Sequence, residues 1–167
     1  MASKKISLVA VVVGSDSDMP VMQSCIDQLK DFGIDPVVRI ISAHRTPQIA
    51  AEFAKNAAAD GIRVIIAAAG MAAHLAGALA AQTTLPVIGV PIAAKEGPAG
   101  LDALLSTVQM PPGVPVATVA IGKPGAKNAA VLAVQMLALS DNSLAQKLAE
   151  FKKTQEEKVI EKDSTLR

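Results

Sequence analysis

Aromatic residues are scarce in this sequence: three of its 167 residues are Phe, and Trp and Tyr are absent. Aromatic rings are the usual stacking platforms for flavins, single-stranded bases and sugars. Sites that depend on such stacking are therefore disfavoured. Alanine fills much of the space instead, and its small side chain lets helices and subunits approach closely.

Cysteine and net charge are scarce as well. Cys25 is the only cysteine, which excludes a disulfide framework and a thiolate metal site. It lies at helical spacing from Met22, Ile26 and Leu29, so we expect an ordinary core position. A reducing, cytoplasmic setting fits. The formal net charge is +1, so no broad electrostatic field favours nucleic acid or an anionic membrane, and an anionic ligand must be held locally.

Two apolar segments imitate secretory or membrane segments. The N-terminal "MASKKISLVAVVVG" has lysines before an apolar stretch, but that stretch is short and has no Ala-x-Ala cleavage pattern. The run from Val64 to Ala81 approaches membrane-spanning length, yet it contains His74 and two glycines. We expect a first strand in the former, and a buried strand followed by a buried helix in the latter.

Apolar runs alternate with helical patterns along the chain. This alternation predicts one α/β domain over residues 1–167, a three-layer α/β/α sandwich around a parallel five-stranded sheet buried on both faces. The predicted strands are Ile6 to Val13, Pro36 to Ile41, Arg63 to Ala68, Pro86 to Val90 and Pro115 to Ala120. The predicted helices are Pro20 to Phe32, Pro47 to Asp60, Ala72 to Gln82, Leu101 to Val108 and Ala126 to Leu139.

Residues 141–162 predict a further, charged helix beyond a core of residues 6–140. Its apolar stripe of Leu144, Leu148, Phe151 and Val159 suits packing on a neighbouring subunit or, equally, on its own domain. The only long loop, residues 91–100, could be a mobile lid or a plain connection.

Polar side chains follow each of the first three predicted strands. The segments are "GSDSDMP" from Gly14, "SAHRTP" from Ser42 and "AGMAAHLAG" from Ala69. In open parallel sheets the ligand crevice lies beyond the carboxyl ends of the strands. Both histidines, an arginine and several hydroxyls are therefore predicted to collect at one edge of the sheet.

The second of these segments is the most informative. Arg45 directly precedes a helix start, with Thr46 as the expected N-cap and Pro47 at the first helical position. Free backbone N–H groups at such a start favour an anion, so Arg45 is predicted to bind one. His44 lies beyond the end of its strand, which favours catalysis or ligand contact.

Other positions leave two uses open. His74 is surrounded by Ala and Gly, and is either a ligand contact or a satisfied core histidine. Ser17 or Asp18 could serve only as a helix cap.

Several familiar sites are missing. Gly122 and Lys123 are followed by Pro124, which does not fit a P-loop, and no G-x-G-x-x-G follows the first strand. No clustered metal-ligand spacing occurs. A phospho-receiver domain would need an acceptor aspartate after the third strand, where the chain has only Ala and Gly over residues 67–70.

The ordered motifs resemble the PurE family of purine biosynthesis. They are "GSDSD", "SAHRTP", "AGMAAHLAG", "PVIGVP", "LDALLSTVQMPPGVPVATVAIG" and "NAAVLAVQML", and they span Val11 to Leu139. The resemblance implies a flavodoxin-like fold, a homo-octamer with active sites at subunit boundaries, and no cofactor or metal. It also implies N5-carboxyaminoimidazole ribonucleotide mutase activity of the class I type. Two alternatives stay open: direct ATP-independent carboxylation of aminoimidazole ribonucleotide, and a non-catalytic phosphate- or nucleotide-binding module.

The resemblance also implies roles for individual residues. Ser15, Ser42 and Arg45 would hold the substrate phosphate, Asp18 the ribose hydroxyls, and His44 would carry the proton. Gly70, His74 and Leu75 would line the pocket for the imidazole and the carboxylate.

The sequence departs from the family pattern at two places. Ala76 stands where the family usually has proline, which bears on the rigidity of that turn. The segment "AAKEGPAG" lacks the serine pattern common before the position of Asp102, so no substrate contact is inferred from that loop.

Overall fold

Five parallel strands form one sheet in the order β2-β1-β3-β4-β5. The computed structural model describes residues 7–95 and 97–166, so Ile6 in the predicted first strand and Glu96 in the predicted loop lie outside the described residues. The strands are β1 Val9–Val13, β2 Val37–Ile40, β3 Val64–Gly70, β4 Val87–Ile92 and β5 Ala117–Thr118. Strand pairing is parallel throughout, and the predicted five-stranded parallel sheet is confirmed.

Six α-helices of the described ranges complete the layers. They are α1 Met19–Asp31, α2 Pro47–Asn56, α3 Leu75–Ala80, α4 Leu101–Val108, α5 Gly122–Ala138 and α6 Asn142–Ser164. Helices α1 and α5 cover one face of the sheet, and α2 and α3 cover the other, where Thr107 of α4 lies against Gly89 of β4. The three-layer sandwich is therefore confirmed, as is the strand-then-helix expectation for the segment Val64 to Ala81.

The core divides between the two faces because strand side chains alternate. Val9, Val11 and Val13 of β1 pack towards α1 and α5, whereas Ala10 and Val12 pack towards α2 and α3. β1 is fully buried because it lies between β2 and β3 and has helices on both faces.

Cys25 belongs to the core, as its spacing predicts. It is fully buried on α1, and burial raises the pKa of its thiol to about 12. The thiolate is the reactive form of cysteine, so this side chain acts as a small apolar group at neutral pH.

The outer strands are less buried than predicted. The expectation that all five strands are covered on both faces is wrong for β2, where Val38 is 37% and Ile40 is 56% exposed. β2 pairs only with β1 and forms an edge of the sheet. β5, at the other edge, has only two residues, both half-buried.

The apolar stripe of α6 divides into two parts. Leu144 is buried, Leu148 and Phe151 pack against the same core, and the rings of Phe32 and Phe151 meet edge to face at 5.3 Å. Val159 is 67% exposed. The first half of α6 thus packs on its own sheet layer, while the outer half projects beyond it. No helix in the described ranges is long and apolar enough to cross a membrane.

Candidate active site

The loops that follow β1, β2 and β3 open at the same edge of the sheet. β1 pairs with β2 on one side and with β3 on the other, so the chain crosses β1 between its second and third strands. Such a reversal in strand order leaves a crevice beyond the carboxyl ends of the strands. The topology therefore places the three polar segments around one crevice.

The loop after β1 is held by bonds among its own side chains. Ser15 N-caps a short 3₁₀ turn over Asp16–Asp18: its Oγ accepts from Ser17 N at 3.4 Å, and Ser15 N donates to Asp18 Oδ2 at 3.2 Å. Asp18 is buried, and this desolvation, with the nearby charge of Asp16, raises the pKa of its carboxyl despite the bond from Ser15 N. Ser15 and Asp18 thus form a capping box around the 3₁₀ turn. Asp18 also occupies the N-cap position of α1, but its side chain makes no capping bond to that helix.

The loop after β2 is a closed turn that begins at Ser42. Thr46 N donates to Ser42 O at 2.8 Å, and Thr46 Oγ1 both donates to Ser42 O at 2.9 Å and accepts from Ser42 N at 3.1 Å. Thr46 occupies the N-cap position of α2, as predicted, but its side chain makes no capping bond because Ser42 engages it. Pro47 occupies the first helical position, as predicted.

Arg45 is anchored to this turn at one end only. Its backbone N and its Nε donate to Ser42 Oγ at 3.2 and 3.4 Å. The side chain is exposed, and its two terminal nitrogens have no partner within residues 7–95 and 97–166. Two parallel donors thus remain available for an anion at the start of α2.

The loop after β3 turns sharply at Met71. Packing favours Gly70, because an added Cβ would lie only 3.0 Å from Ile92 O of the neighbouring strand. Met71 is 63% exposed and has a φ of 56°, a left-handed conformation that costs about 1–2 kcal/mol for a residue with a Cβ. Leu75 is buried and anchors the start of α3.

His74 is exposed at the N-cap position of α3, so the core-histidine alternative is wrong. Its Nδ1 lies 2.8 Å from His44 Nε2, and the two rings meet nearly perpendicular, at 77°, with centroids 4.9 Å apart. The loops after β2 and β3 are thus joined through the only two histidines in the sequence. Ser15 and Asp18 share the same edge but make no hydrogen bond to either histidine among the described residues.

Three features at this edge were not predicted from the sequence. The strained backbone of Met71 has no sequence signal, because methionine rarely adopts a left-handed conformation. The sequence pattern at Thr46 predicts an ordinary N-cap and does not indicate that its side chain closes the turn onto Ser42. Asp102, in the first turn of α4, has a buried Oδ1 with no hydrogen-bond partner in the described part of the chain.

Two cavities lie away from this crevice. One of about 420 Å³ lies at the opposite edge of the sheet, where Leu8, Arg63 and Asp141 are among its lining residues. Another of about 460 Å³ lies between α1 and α5. Neither includes His44, Arg45 or His74. Across residues 7–95 and 97–166, no three His, Cys or acidic side chains gather as metal ligands would.

Comparison with known proteins identifies the family. Residues 8–158 match the family model described as AIR carboxylase. N5-carboxyaminoimidazole ribonucleotide mutase of Brucella melitensis is 53% identical over 156 residues, which cover 93% of this chain and 96% of the relative. The enzyme of the same name from Pyrococcus horikoshii is 52% identical over 166 residues, covering 99% and 92%.

A solved structure agrees with this assignment. The crystal structure of Treponema denticola PurE superposes with a TM-score of 0.86 at 32% identity, covering 96% of this chain and 99% of that one. The resemblance drawn from the motifs is confirmed, and the chain belongs to the AIR carboxylase family.

Proposed function

We propose that the protein is an N5-carboxyaminoimidazole ribonucleotide mutase of de novo purine biosynthesis, acting in the cytoplasm without a cofactor or metal. Its relatives of that name share about half of their residues with it. The observation that carries the proposal is the hydrogen-bonded turn after β2, which presents the exposed imidazole of His44 beside the two free terminal nitrogens of Arg45.

The reaction is an isomerisation that needs one proton carrier. The carboxylate leaves the exocyclic nitrogen of the aminoimidazole, and a new carbon–carbon bond forms at ring carbon C4. The exocyclic nitrogen gains a proton, and C4 loses one, so the product is 4-carboxy-5-aminoimidazole ribonucleotide. A group that donates first and accepts afterwards balances both steps.

His44 is the residue we assign to that exchange. An imidazole changes its protonation near neutral pH, so it can serve as acid and then as base in one cycle. The ring is exposed at the crevice and lies on a turn closed by Thr46, so it is open to contact with a bound heterocycle. Proton transfer of this kind is typically worth about 10² to 10⁴ in rate.

Phosphate binding is assigned to the neighbouring groups. The two free donors of Arg45 suit paired bonds to phosphate oxygens, and the start of α2 adds backbone donors. Ser42 orients the guanidinium through its Oγ, and Ser15 is placed on the adjacent loop. The phosphate is remote from the reacting bond, so its binding energy anchors the substrate while the ring changes.

The loops after β1 and β3 are proposed to bind the ribose, the imidazole and the carboxylate of the substrate. The carboxyl of Asp18 is buried, which raises its pKa, and bonds to ribose hydroxyls would stabilise its charged form. Gly70, His74 and Leu75 are proposed to surround the imidazole and the carboxylate. A dry wall of small residues there would retain CO₂ if it is released briefly.

We further propose that residues 1–167 form one catalytic domain that assembles as a homo-octamer. Apolar side chains are exposed on two faces of the described chain: Val38, Ile40 and Ile49 near β2, and Leu101, Leu105 and Val108 on α4. Burial of such side chains between subunits is worth roughly 25 cal/mol per Å². Sites at subunit boundaries would also fit the finding that neither of the two cavities described above includes His44.

The assembly can be tested on α6. A chain truncated after Lys153 keeps Leu144, Leu148 and Phe151, which pack on the core, and loses the exposed outer half of the helix. We expect a smaller assembly than the full chain by light scattering, with the circular dichroism of the remaining fold retained. An unchanged octamer would show that the outer half of α6 is not needed for assembly.

The activity is tested by offering each substrate separately, without ATP and at low bicarbonate. Consumption of N5-carboxyaminoimidazole ribonucleotide with formation of the C4-carboxylated product is the expected result. The description of the family as AIR carboxylase favours one second candidate, direct carboxylation. Bicarbonate-dependent consumption of aminoimidazole ribonucleotide alone would establish that candidate, and calorimetric binding without turnover of either would indicate a binding module.

A further inference from the structure

The two histidines of the crevice are held by separate, well-anchored elements. His44 lies on the turn that Ser42 and Thr46 close with three hydrogen bonds. His74 N donates to Ala72 O at 2.8 Å, His74 O accepts from Ala78 N at 2.9 Å, and α3 is fixed by the buried Leu75. The contact between the rings therefore joins two rigid backbones.

A hydrogen bond between two imidazole nitrogens restricts both rings. It requires one hydrogen on one nitrogen and a lone pair on the other. His44 Nε2 is therefore engaged whichever ring supplies the hydrogen. His44 Nδ1 and His74 Nε2 have no hydrogen-bond partner within the described ranges, so Nδ1 is the nitrogen of His44 that remains available.

We propose that His74 is a positioning residue for His44. In this arrangement His74 Nδ1 holds His44 Nε2 and fixes the orientation of the ring, and His44 Nδ1 exchanges the proton with the substrate. The inference rests on the proposed function, and it adds which nitrogen works and what holds it. His74 then acts on the reaction through His44, in addition to forming part of the pocket wall.

The physical reason is the exposure of His44. An exposed imidazole free at both nitrogens rotates among several staggered rotamers, and only some of them direct a nitrogen at the bound ring. A hydrogen bond to a fixed partner selects one of them. A misplacement of about 1 Å can cost about 10²-fold in rate, so selecting the rotamer affects turnover much more than binding.

The pairing can be observed in the free enzyme, independently of any activity. His44 and His74 are the only histidines in the sequence, so ¹⁵N-histidine labelling reports on the pair alone. We expect a ¹⁵N–¹⁵N coupling across the hydrogen bond between His44 Nε2 and His74 Nδ1. Its absence at a pH where both rings are neutral would overturn the proposal, whatever the enzyme turns over.

Kinetics on two variants of the same position then separate positioning from substrate binding. His74→Leu keeps an apolar bulk and removes the hydrogen bond, whereas His74→Asn places an amide nitrogen near the position of Nδ1. We expect kcat to fall about 10- to 100-fold in His74→Leu with a smaller change in KM, and to recover partly in His74→Asn.

The other outcomes contradict the proposal. A rise in KM larger than the loss in kcat would mean that His74 acts by contacting the substrate and not by positioning His44. Equal kcat values in the two variants would mean that the hydrogen bond to His44 does not affect turnover. If His74→Leu does not fold, His74→Asn and the wild-type spectrum still decide. A wild-type enzyme that shows the coupling but does not turn over N5-carboxyaminoimidazole ribonucleotide would overturn the proposed function and leave the pairing intact.

Discussion

Two aspartates near helix starts, one at each edge of the sheet, show how the two ends of the molecule differ. Asp141, at the edge away from the histidines, accepts from Ser143 N at 2.9 Å, Ser143 Oγ at 2.7 Å and Leu144 N at 3.3 Å. These bonds, led by that of the Ser143 side chain, lower the pKa of its carboxyl. Asp18, at the crevice, has one backbone donor and a pKa raised by burial.

The comparison shows that a large cavity and a set of reactive polar groups need not lie at the same place. The cavity of about 420 Å³ lies at the edge of Asp141, where that carboxylate already has its hydrogen bonds and caps α6. The crevice at the other edge contains the desolvated carboxyl of Asp18 and the free terminal nitrogens of Arg45. Unsatisfied or perturbed groups in a crevice are characteristic of functional sites, since their deficit is met by a ligand.

The largest effect is expected for His44→Asn. Removal of the proton carrier should lower kcat by about 10² to 10⁴, because general acid–base catalysis typically contributes that much. The product should still bind by calorimetry, since Arg45 and Ser42 remain. Loss of binding together with turnover would instead make His44 a structural residue.

Arg45→Ala should mainly raise KM. Hydrogen bonds to charged groups contribute about 1.5–3 kcal/mol, which corresponds to roughly 10- to 150-fold in affinity. The matched control is Arg63→Ala, because Arg63 is also exposed but lines the cavity at the opposite edge. An equal rise in KM for both variants would indicate a general effect of net charge, and an unchanged KM for Arg45→Ala would contradict the phosphate site.

The aspartates should give pH dependences of opposite sign. A raised pKa means that Asp18 contributes stability below the ordinary aspartate pKa and loses it as the pH rises through its folded-state value. Asp18→Asn should therefore raise the thermal midpoint at neutral pH, with the gain vanishing in acid. Its Oδ1 can still accept from Ser15 N, so the loop is retained.

Asp141→Asn should do the reverse. A lowered pKa gives stability that is present above the ordinary aspartate pKa and is lost as the pH falls through the folded-state value, so this variant should lower the thermal midpoint at neutral pH and match the wild type in acid. Thermal unfolding of the three proteins at neutral and acid pH measures both signs. If Asp18→Asn and Asp141→Asn shift the midpoint in the same direction, the contrast between the two edges fails.

Sequence patterns predicted the features that depend on neighbouring residues in the chain, such as strands and helix starts. The continuous apolar run of β1 predicts a strand buried on both faces, and Pro47 predicts the start of α2. The exposure of Ile40 was not predictable in the same way, because an apolar run does not show whether its strand lies at the centre or at an edge. The approach of His74 to His44 depends on the placement of two loops and on side-chain rotamers, neither of which a single sequence encodes in a readable pattern.

The smallest effect is expected for Ala76→Pro, at the position where the motif resemblance implies a proline. Ala76 is the second residue of α3, where the backbone N–H has no helical partner to lose, so proline is sterically acceptable there. We expect the free energy of unfolding to change by less than about 1 kcal/mol, with any gain coming from reduced freedom of the unfolded chain. Ala78→Pro is the matched control two residues on: it removes the bond from Ala78 N to His74 O and should cost about 3 kcal/mol. Urea unfolding measures the free energy of unfolding of both variants. An equal decrease in the two would mean that α3 begins before His74.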